Sequence, residues 1–332
     1  MQSHKPSARV VGLGTYLPER ILTNAELESR PELETSDEWI VKRTGIRERH
    51  LAAAGEYTSD LATKAAEACL ADAGVSAADL DLIVVATVTP DMLFPATACL
   101  VQRNLGARKA AAFDLLLGCT GWVSGLATAA QFVENGTYAN VLVIGAETLS
   151  RITDWTDRTT CVLFGDGAGA TLVAGGEPGS GLQSFAMVNY GEYGDLLTQP
   201  AGGSRQRVTP EVIAAHDDCI KMSGREIFRL AVEGIPAVAE EAMAKAGITA
   251  ADVDLLLMHQ ANIRIIEAAA DRFGFPREKV AVTVDRHGNT SAASMPLALG
   301  VMRAEARLSR GDTILLVGFG AGFSLAAAVL RW

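Results

Sequence analysis

The chain has 332 residues, 49% of them apolar, and a formal net charge of −10. That length is too great for one ordinary hydrophobic core and suits two domains or one large two-part domain. The acidic balance, without any run of basic residues, argues against a nucleic-acid partner, and no apolar run reaches the ~18–20 residues that span a bilayer.

The opening residues, Met1-Gln2-Ser3-His4-Lys5-Pro6-Ser7, lack the apolar stretch of a signal peptide. Cysteines at 69, 99, 119, 161 and 219 are odd in number and scattered. They fit a reducing compartment and indicate neither a disulfide framework nor a metal site. The expected location is therefore the cytoplasm. Asp37 to Arg43 reads as a charged amphipathic segment in which Trp39 is an apolar anchor or a flat ring beside an arginine. Ala110-Ala111-Ala112-Phe113-Asp114-Leu115-Leu116-Leu117 has the look of a buried strand. After Gly118, apolar residues recur at Trp122, Leu126, Ala129 and Val133 with helical spacing. Cys119 thus stands where a strand turns into a helix, whose N-terminus favours a thiolate. The same position also suits a small buried hydrophobe.

Three glycine-rich stretches, Gly12-Leu13-Gly14, Gly165 to Gly169 and Gly318 to Gly322, resemble nucleotide loops. The last two lead into further apolar runs rather than helices, so they read as tight turns. The segment from about Thr148 to Phe164 and the Gly-rich, polar stretch Tyr190 to Pro210 read as an insertion and a long loop of the kind that forms lids or binding surfaces.

The chain also repeats itself. Ala73 to Val85 recurs as Ala246 to Met258, 173 residues later, each a glycine-capped helix end, an acidic turn and a buried strand. Lys109 to Thr120 matches Lys279 to Thr290 at an offset of 170, and Val141 to Gly145 matches Ile314 to Gly318 at 173. Three blocks in one order imply a duplicated domain. Alternating helices and Val/Leu/Ile runs imply α/β halves with helix-covered, mainly parallel sheets. The join falls in the Gly/Pro-rich stretch Gly175 to Gly181, giving halves at 1–178 and 179–332.

At the 170 offset Cys119 falls on Asn289, while His259, just past its strand, corresponds to Ala86 at 173. Pseudo-twofold packing brings Cys119, His259 and Asn289 to one centre suited to acyl chemistry: a nucleophilic thiolate, with imidazole and carboxamide donors for an oxyanion. His287, two residues before Asn289, reads as structural. The glycines at 320 and 322 permit the close backbone approach by which Ala321 supplies an N–H donor.

The chain resembles the β-ketoacyl-acyl carrier protein synthase III family, initiating condensing enzymes of the thiolase superfamily. The resemblance rests on Thr35 to Arg49, Phe164 to Ala170, His259 to Arg264 and His287 to Ser294, and runs from about Arg9 to Trp332. It implies a five-layered α-β-α-β-α fold of two pseudo-twofold-related halves. It implies an acyltransferase in which Cys119 takes an acyl group from an acyl-coenzyme A, and His259 and Asn289 assist decarboxylation of malonyl-acyl carrier protein. No metal or redox cofactor is called for. Trp39 and Arg158 are expected to sandwich the adenine of coenzyme A, with Arg43 near its phosphates and Thr35 and Asn262 alongside. Arg264, Arg229, Arg225 and Arg272 are candidates for docking the acidic carrier protein, which needs a local basic patch on so acidic a chain. The family forms homodimers, with the Phe94 loop reaching towards the partner's acyl pocket, and Leu116, Leu117 and Trp122 complete the expected pocket. The chain departs from the family at Leu116-Leu117, Trp122, Ala321 and Ser324-Leu325, which bear on the acyl preference. Two further readings are a specialised acyl-coenzyme A condensing enzyme or acyltransferase of secondary metabolism, and a non-catalytic partner subunit. The intact Cys119, His259 and Asn289 weigh against the latter.

Overall fold

Side chains alternate between the two faces of each strand, and in the central strands here both faces are buried. The computed structural model describes residues 7–332; the opening residues read above as lacking a signal peptide otherwise lie outside the described residues. The principal strands of the first half are β1 (Ser7–Tyr16), β2 (Leu82–Ala86), β3 (Ala111–Leu115), β4 (Asn140–Thr148) and β5 (Asp166–Gly176). Those of the second are β6 (Gly181–Asn189), β7 (Leu255–Met258), β8 (Thr313–Gly320) and β9 (Ser324–Arg331). The principal helices are α1 (Asp37–Thr44), α2 (Thr58–Ala73), α3 (Thr97–Leu105), α4 (Gly121–Glu134), α5 (Gly224–Ala246), α6 (Ile263–Phe273) and α7 (Ser294–Ala304).

The first sheet has the order β1-β5-β4-β2-β3 and the second β7-β8-β9-β6. In the first, β4, β2 and β3 run parallel and in the second β8 and β7, and in each two antiparallel strands follow (β5 and β1, β9 and β6), so the sheets are mixed rather than mainly parallel as expected. The second half has no full counterpart of β3; an isolated bridge, Leu256 to Val280, stands in its place. Helix ends repeat as well. Gly74 and Gly247 close α2 and α5 in the left-handed region, and Val75 N–H and Ile248 N–H donate back to Leu70 O (3.1 Å) and Met243 O (3.0 Å).

Side chains from alternate positions build the layers. Leu82 and Val84 of β2, with Leu255 and Leu257 of β7, face a central core holding Trp122 and Leu126 of α4 and Met295 and Leu299 of α7. Ile83 and Val85 face outward onto α2 and α3, and Leu256 and Met258 onto α5 and α6. The result is the five-layered α-β-α-β-α stack.

Two local expectations need correction. The run Ala110–Leu117 yields β3, but its residues are exposed or half-buried, because β3 is an edge strand paired only with β2 among the described residues. Gly165 to Gly169 is mostly strand, not turn. A Cβ on Gly169 would stand 2.6 Å from Pro296 Cβ, so this glycine admits the central helix to the sheet. Gly318 to Gly322 does end β8 and turn into β9.

Candidate active site

Beyond β3 the chain passes Gly118 at φ +53°, makes one 3₁₀ turn over Gly118–Thr120 and enters α4. Cys119 lies in that turn, 7% exposed. The end of β8 closes on it: a Cβ on Gly320 would stand 2.9 Å from Cys119 Cβ and 3.1 Å from its Sγ. Only glycine allows that approach. Burial pushes the Cys119 thiol up to about 12, against a smaller lowering by the Ser291 hydroxyl. The expected resting thiolate is therefore corrected to a thiol, since desolvation of the sulfur outweighs the helix terminus.

His259 follows β7 and is 1% exposed. Its ring meets Phe319 edge-on at 5.2 Å, and burial lowers its pKa to about 3, so it is neutral. Nδ1 lies 2.7 Å from Ser294 Oγ, which also accepts the Gln260 N–H at 3.3 Å. Assigning the Ser294 hydroxyl hydrogen to Nδ1 places the neutral ring's own proton on Nε2, which is then the N–H donor. Asn289 is held by its backbone: its N–H donates to Leu163 O (2.8 Å) and its O accepts from Gly165 N–H (3.0 Å). Its Oδ1 accepts the Ser291 N–H at 2.9 Å, which fixes the amide so that its NH₂ is the free donor. His287 stays outside this site, buried beside His50.

A cavity of about 740 Å³ is lined by Cys119, His259 and Asn289 together with Trp39, Arg43, Arg158, Asn262, Arg225 and Arg264. Arg43 and Arg158 stack on the Trp39 ring at 4.6 and 5.3 Å, and Arg158 donates to Glu34 O. Asn262 caps α6, accepting from Arg264 N–H (2.9 Å) and donating to Arg43 O (3.0 Å).

Other expected residues are not brought in. Thr35 does not line the cavity, and its buried hydroxyl has no hydrogen-bond partner. Arg229 and Arg272 lie away from the cavity and pair with Glu233 (2.8 Å) and Glu240 (3.6 Å). Ala321, by contrast, is brought beside the nucleophile's turn: it sits in the β8–β9 turn, its N 3.7 Å from where a Gly118 Cβ would stand. Of the expected acyl-pocket residues, Leu116, Leu117 and Trp122 do not line this cavity, and Phe94, expected to reach towards a partner's pocket, does not line it either. Trp122 is fully buried in the central core with Nε1 donating to Thr171 Oγ1 (3.3 Å), because its helix face points between the sheets. Leu117 is half-buried, while Leu116 and Phe94 are 76% and 85% exposed.

Sequence reading missed three polar residues here: Ser294 on His259, Ser291 on Cys119 (3.5 Å), and Glu147, fully buried at the end of β4. Glu147 carried a signal, a lone charge ending the apolar run Val141 to Ala146.

Two family models match the chain: 3-oxoacyl-[acyl-carrier-protein] synthase III over residues 113–191, and the 3-oxoacyl-[acyl-carrier-protein] synthase III C terminal over 243–332. The β-ketoacyl-[acyl-carrier-protein] synthase III of Caldanaerobacter subterraneus subsp. tengcongensis is 51% identical over 328 residues, 99% of this chain and 98% of its own. The crystal structure of the β-ketoacyl-[acyl carrier protein] synthase III of Thermus thermophilus matches with a TM-score of 0.90 at 48% identity, covering 98% of this chain and 99% of that one. A priming β-ketosynthase of a polyketide biosynthetic pathway matches with a TM-score of 0.91 at 33% identity, over 98% of this chain and 96% of its own.

Proposed function

The chain belongs to the β-ketoacyl-acyl carrier protein synthase III family, the condensing enzymes that initiate fatty-acid synthesis, and from that premise we propose how its site performs the reaction. A short acyl-coenzyme A enters the cavity with its adenine against Trp39, displacing the Arg158 guanidinium to the far face of the base, and its phosphates near Arg43. Cys119 Sγ attacks the thioester carbonyl. The oxyanion is stabilised by the backbone N–H groups of Cys119 and Ala321, and coenzyme A departs. Malonyl-acyl carrier protein then docks at the cavity, guided by Arg225 and Arg264. As carbon dioxide leaves, His259 Nε2–H and the Asn289 NH₂ donate to the thioester oxygen on which charge develops. Being neutral, they stabilise the enolate without protonating its carbon. The enolate attacks the Cys119 thioester, releasing β-ketoacyl-acyl carrier protein. These steps, acyl transfer, decarboxylation and carbon–carbon bond formation, change no oxidation state that would call for a redox cofactor, and the N–H donors named above supply the charge stabilisation without a metal.

The observation that carries this reading is that Cys119, His259 and Asn289, from three separate turns, line one cavity with Trp39 and Arg158. The exposed Leu93, Phe94 and Leu116 and the half-buried edge strand β3 support a homodimer formed through that edge. The cytoplasm is the setting this reading assigns; among the described residues no helix is long and apolar enough to cross a membrane.

Radiolabelled acetyl-coenzyme A tests the first step: label should reside on Cys119 and be absent from Cys119→Ser. His259→Ala and Asn289→Ala should keep acylation and lose carbon dioxide release from malonyl-acyl carrier protein by roughly 10²-fold or more; equal loss of both steps contradicts the assigned roles. The likeness to a polyketide priming synthase supports a second reading, a primer other than acetyl. A panel of straight and branched acyl-coenzyme A primers separates the two.

A further inference from the structure

The steps above leave unused the one carboxyl group that acts on the nucleophile. Glu147 closes β4 with no exposed surface, and its twin in the second half, 173 residues on, is Gly320. Its Oε2 accepts from Thr89 Oγ1 (2.7 Å), Thr87 Oγ1 (3.1 Å) and Val88 N–H (3.1 Å), all on the segment that leaves β2. The turn that carries Ser291 packs against β4, where a Cβ on Gly145 would stand 2.2 Å from Ala292 O, and the Ser291 hydroxyl lowers the Glu147 pKa. The same hydroxyl receives the Cys119 thiol at 3.5 Å. Ser291 is held there at φ +47°, a left-handed backbone that a non-glycine residue adopts at some cost, with its N–H tied to Asn289 Oδ1. One hydroxyl therefore accepts from the sulfur and lies beside the buried carboxylate, where it can pass a proton on to Glu147.

We propose that Glu147, acting through Ser291, holds the Cys119 proton during acylation and gives it back when condensation frees the sulfur. The proposal rests on the reading that Cys119 is the acylated nucleophile. As Sγ attacks the acyl carbon, its S–H bond breaks towards Ser291 Oγ, and the Ser291 O–H proton passes to the Glu147 carboxylate. Collapse of the tetrahedral intermediate breaks the bond to the coenzyme A sulfur, which leaves as thiolate and takes a proton from water. Glu147 is then a neutral acid throughout the acyl-enzyme stage, so no nearby negative charge opposes enolate formation. When the enolate carbon bonds to the acyl carbon, the Cys119 C–S bond breaks and the proton returns along the same row. One proton is consumed per turnover, as conversion of the malonyl carboxylate to carbon dioxide requires.

The protonation states fit this exchange. Burial raises Glu147 to about 7, against the hydrogen bonds that lower it, so it is a base matched to neutral solution. The thiol, at about 12, does not ionise there unaided. Other ionisable groups nearby do not supply the inflection: His259 titrates at about 3, and Asp166, opposite Thr148 on β5, is committed to Ser150 and Ala52.

The test uses the full chain as wild type, Glu147→Gln, Glu147→Asp and Ser291→Ala. Two rates are followed against pH: single-turnover acylation by acetyl-coenzyme A, and alkylation of Cys119 by iodoacetamide read by mass spectrometry. Both wild-type rates should rise through an inflection near the Glu147 value. Glu147→Gln and Ser291→Ala should lose the inflection, fall at neutral pH by about 10²- to 10⁴-fold, and recover as hydroxide takes over the base's role. Glu147→Asp should keep an inflection. An unchanged profile in Glu147→Gln, or wild-type acylation by Ser291→Ala should the glutamine variant not fold, overturns the proposal. If wild type resists acetyl-coenzyme A while its alkylation still follows Glu147, the functional reading fails and the proton path stands. If all four acylate with one profile, the proton path fails and the functional reading stands.

Discussion

Glu147 pays for its position in the site with stability. Its folded-state pKa is raised from 4.5 to about 7, with burial the largest cause. A raised carboxyl pKa stabilises the fold below the unfolded value, and that contribution is lost as pH climbs through the folded one. Between about pH 4.5 and 7 the native state must therefore either hold a proton the unfolded chain has shed or bury a charge. Glu147→Gln removes the charge and keeps the shape. At pH 8 it should be more stable than wild type by up to about 3 kcal/mol, a shift of 1.36 kcal/mol per pKa unit less the acceptors the amide gives up. Near pH 4.5 the two should be alike. Urea unfolding at both pH values measures this, and equal stabilisation at both would locate the effect in packing instead. His259 has the opposite sign: its pKa is depressed to about 3, so the stability it confers is present above about 6.5 and lost as pH falls towards 3.

The two halves meet where strand ends receive the turns that carry Cys119 and Asn289. Gly145 of β4 and Gly318 of β8 occupy twin positions there. A Cβ on Gly145 would stand 2.2 Å from Ala292 O, beside the turn after Asn289; one on Gly318 would stand 3.2 Å from Thr120 Cα, beside the turn after Leu117. Backbone cannot yield as a side-chain tip can. Gly145→Ala should thus cost at least the ~3 kcal/mol at the upper end of overpacking, and Gly318→Ala nearer ~1 kcal/mol. Thermal melts of the two variants give the order directly; equal loss would mean that the interface is more compliant than its twin contacts indicate. The repeat made this arrangement legible beforehand, because it set Cys119 and Asn289 on equivalent turns and His259 at a strand end. What periodicity could not show was which neighbours each strand would have. Gly169 reads as a turn residue in a glycine-rich stretch, yet it is strand, and its missing Cβ is explained by Pro296, more than a hundred residues away. Trp122 follows Cys119 closely in sequence and still points into the core. Ser291 and Ser294 gave no periodic signal, since polar contacts across the halves leave none.

Along the whole molecule, the edge of the first sheet at β3 is open: it has no partner strand among the described residues, and its Phe113 and Leu115, which pack against the central core, are left half-buried. At the same ends of β2 and β3 the chain exposes Leu93 (76%), Phe94 (85%) and Leu116 (76%). An unprotected edge beside large apolar side chains invites another strand, and in a closed symmetric pair the available strand is β3 of a second copy. Twofold pairing would extend the first sheet through both subunits and cover the Leu116 side chain that has no place in this chain's own cavity. Sedimentation should then show a dimer for wild type. Phe94→Asp puts a charge on the apolar loop without touching the fold's core, and it should shift the sedimenting species towards monomer while leaving the circular dichroism spectrum unchanged. If Phe94 reaches the partner's acyl chain, acylation should weaken in the same variant, more for longer primers than for acetyl. A dimer that persists with unaltered primer preference would place the contact elsewhere on the surface.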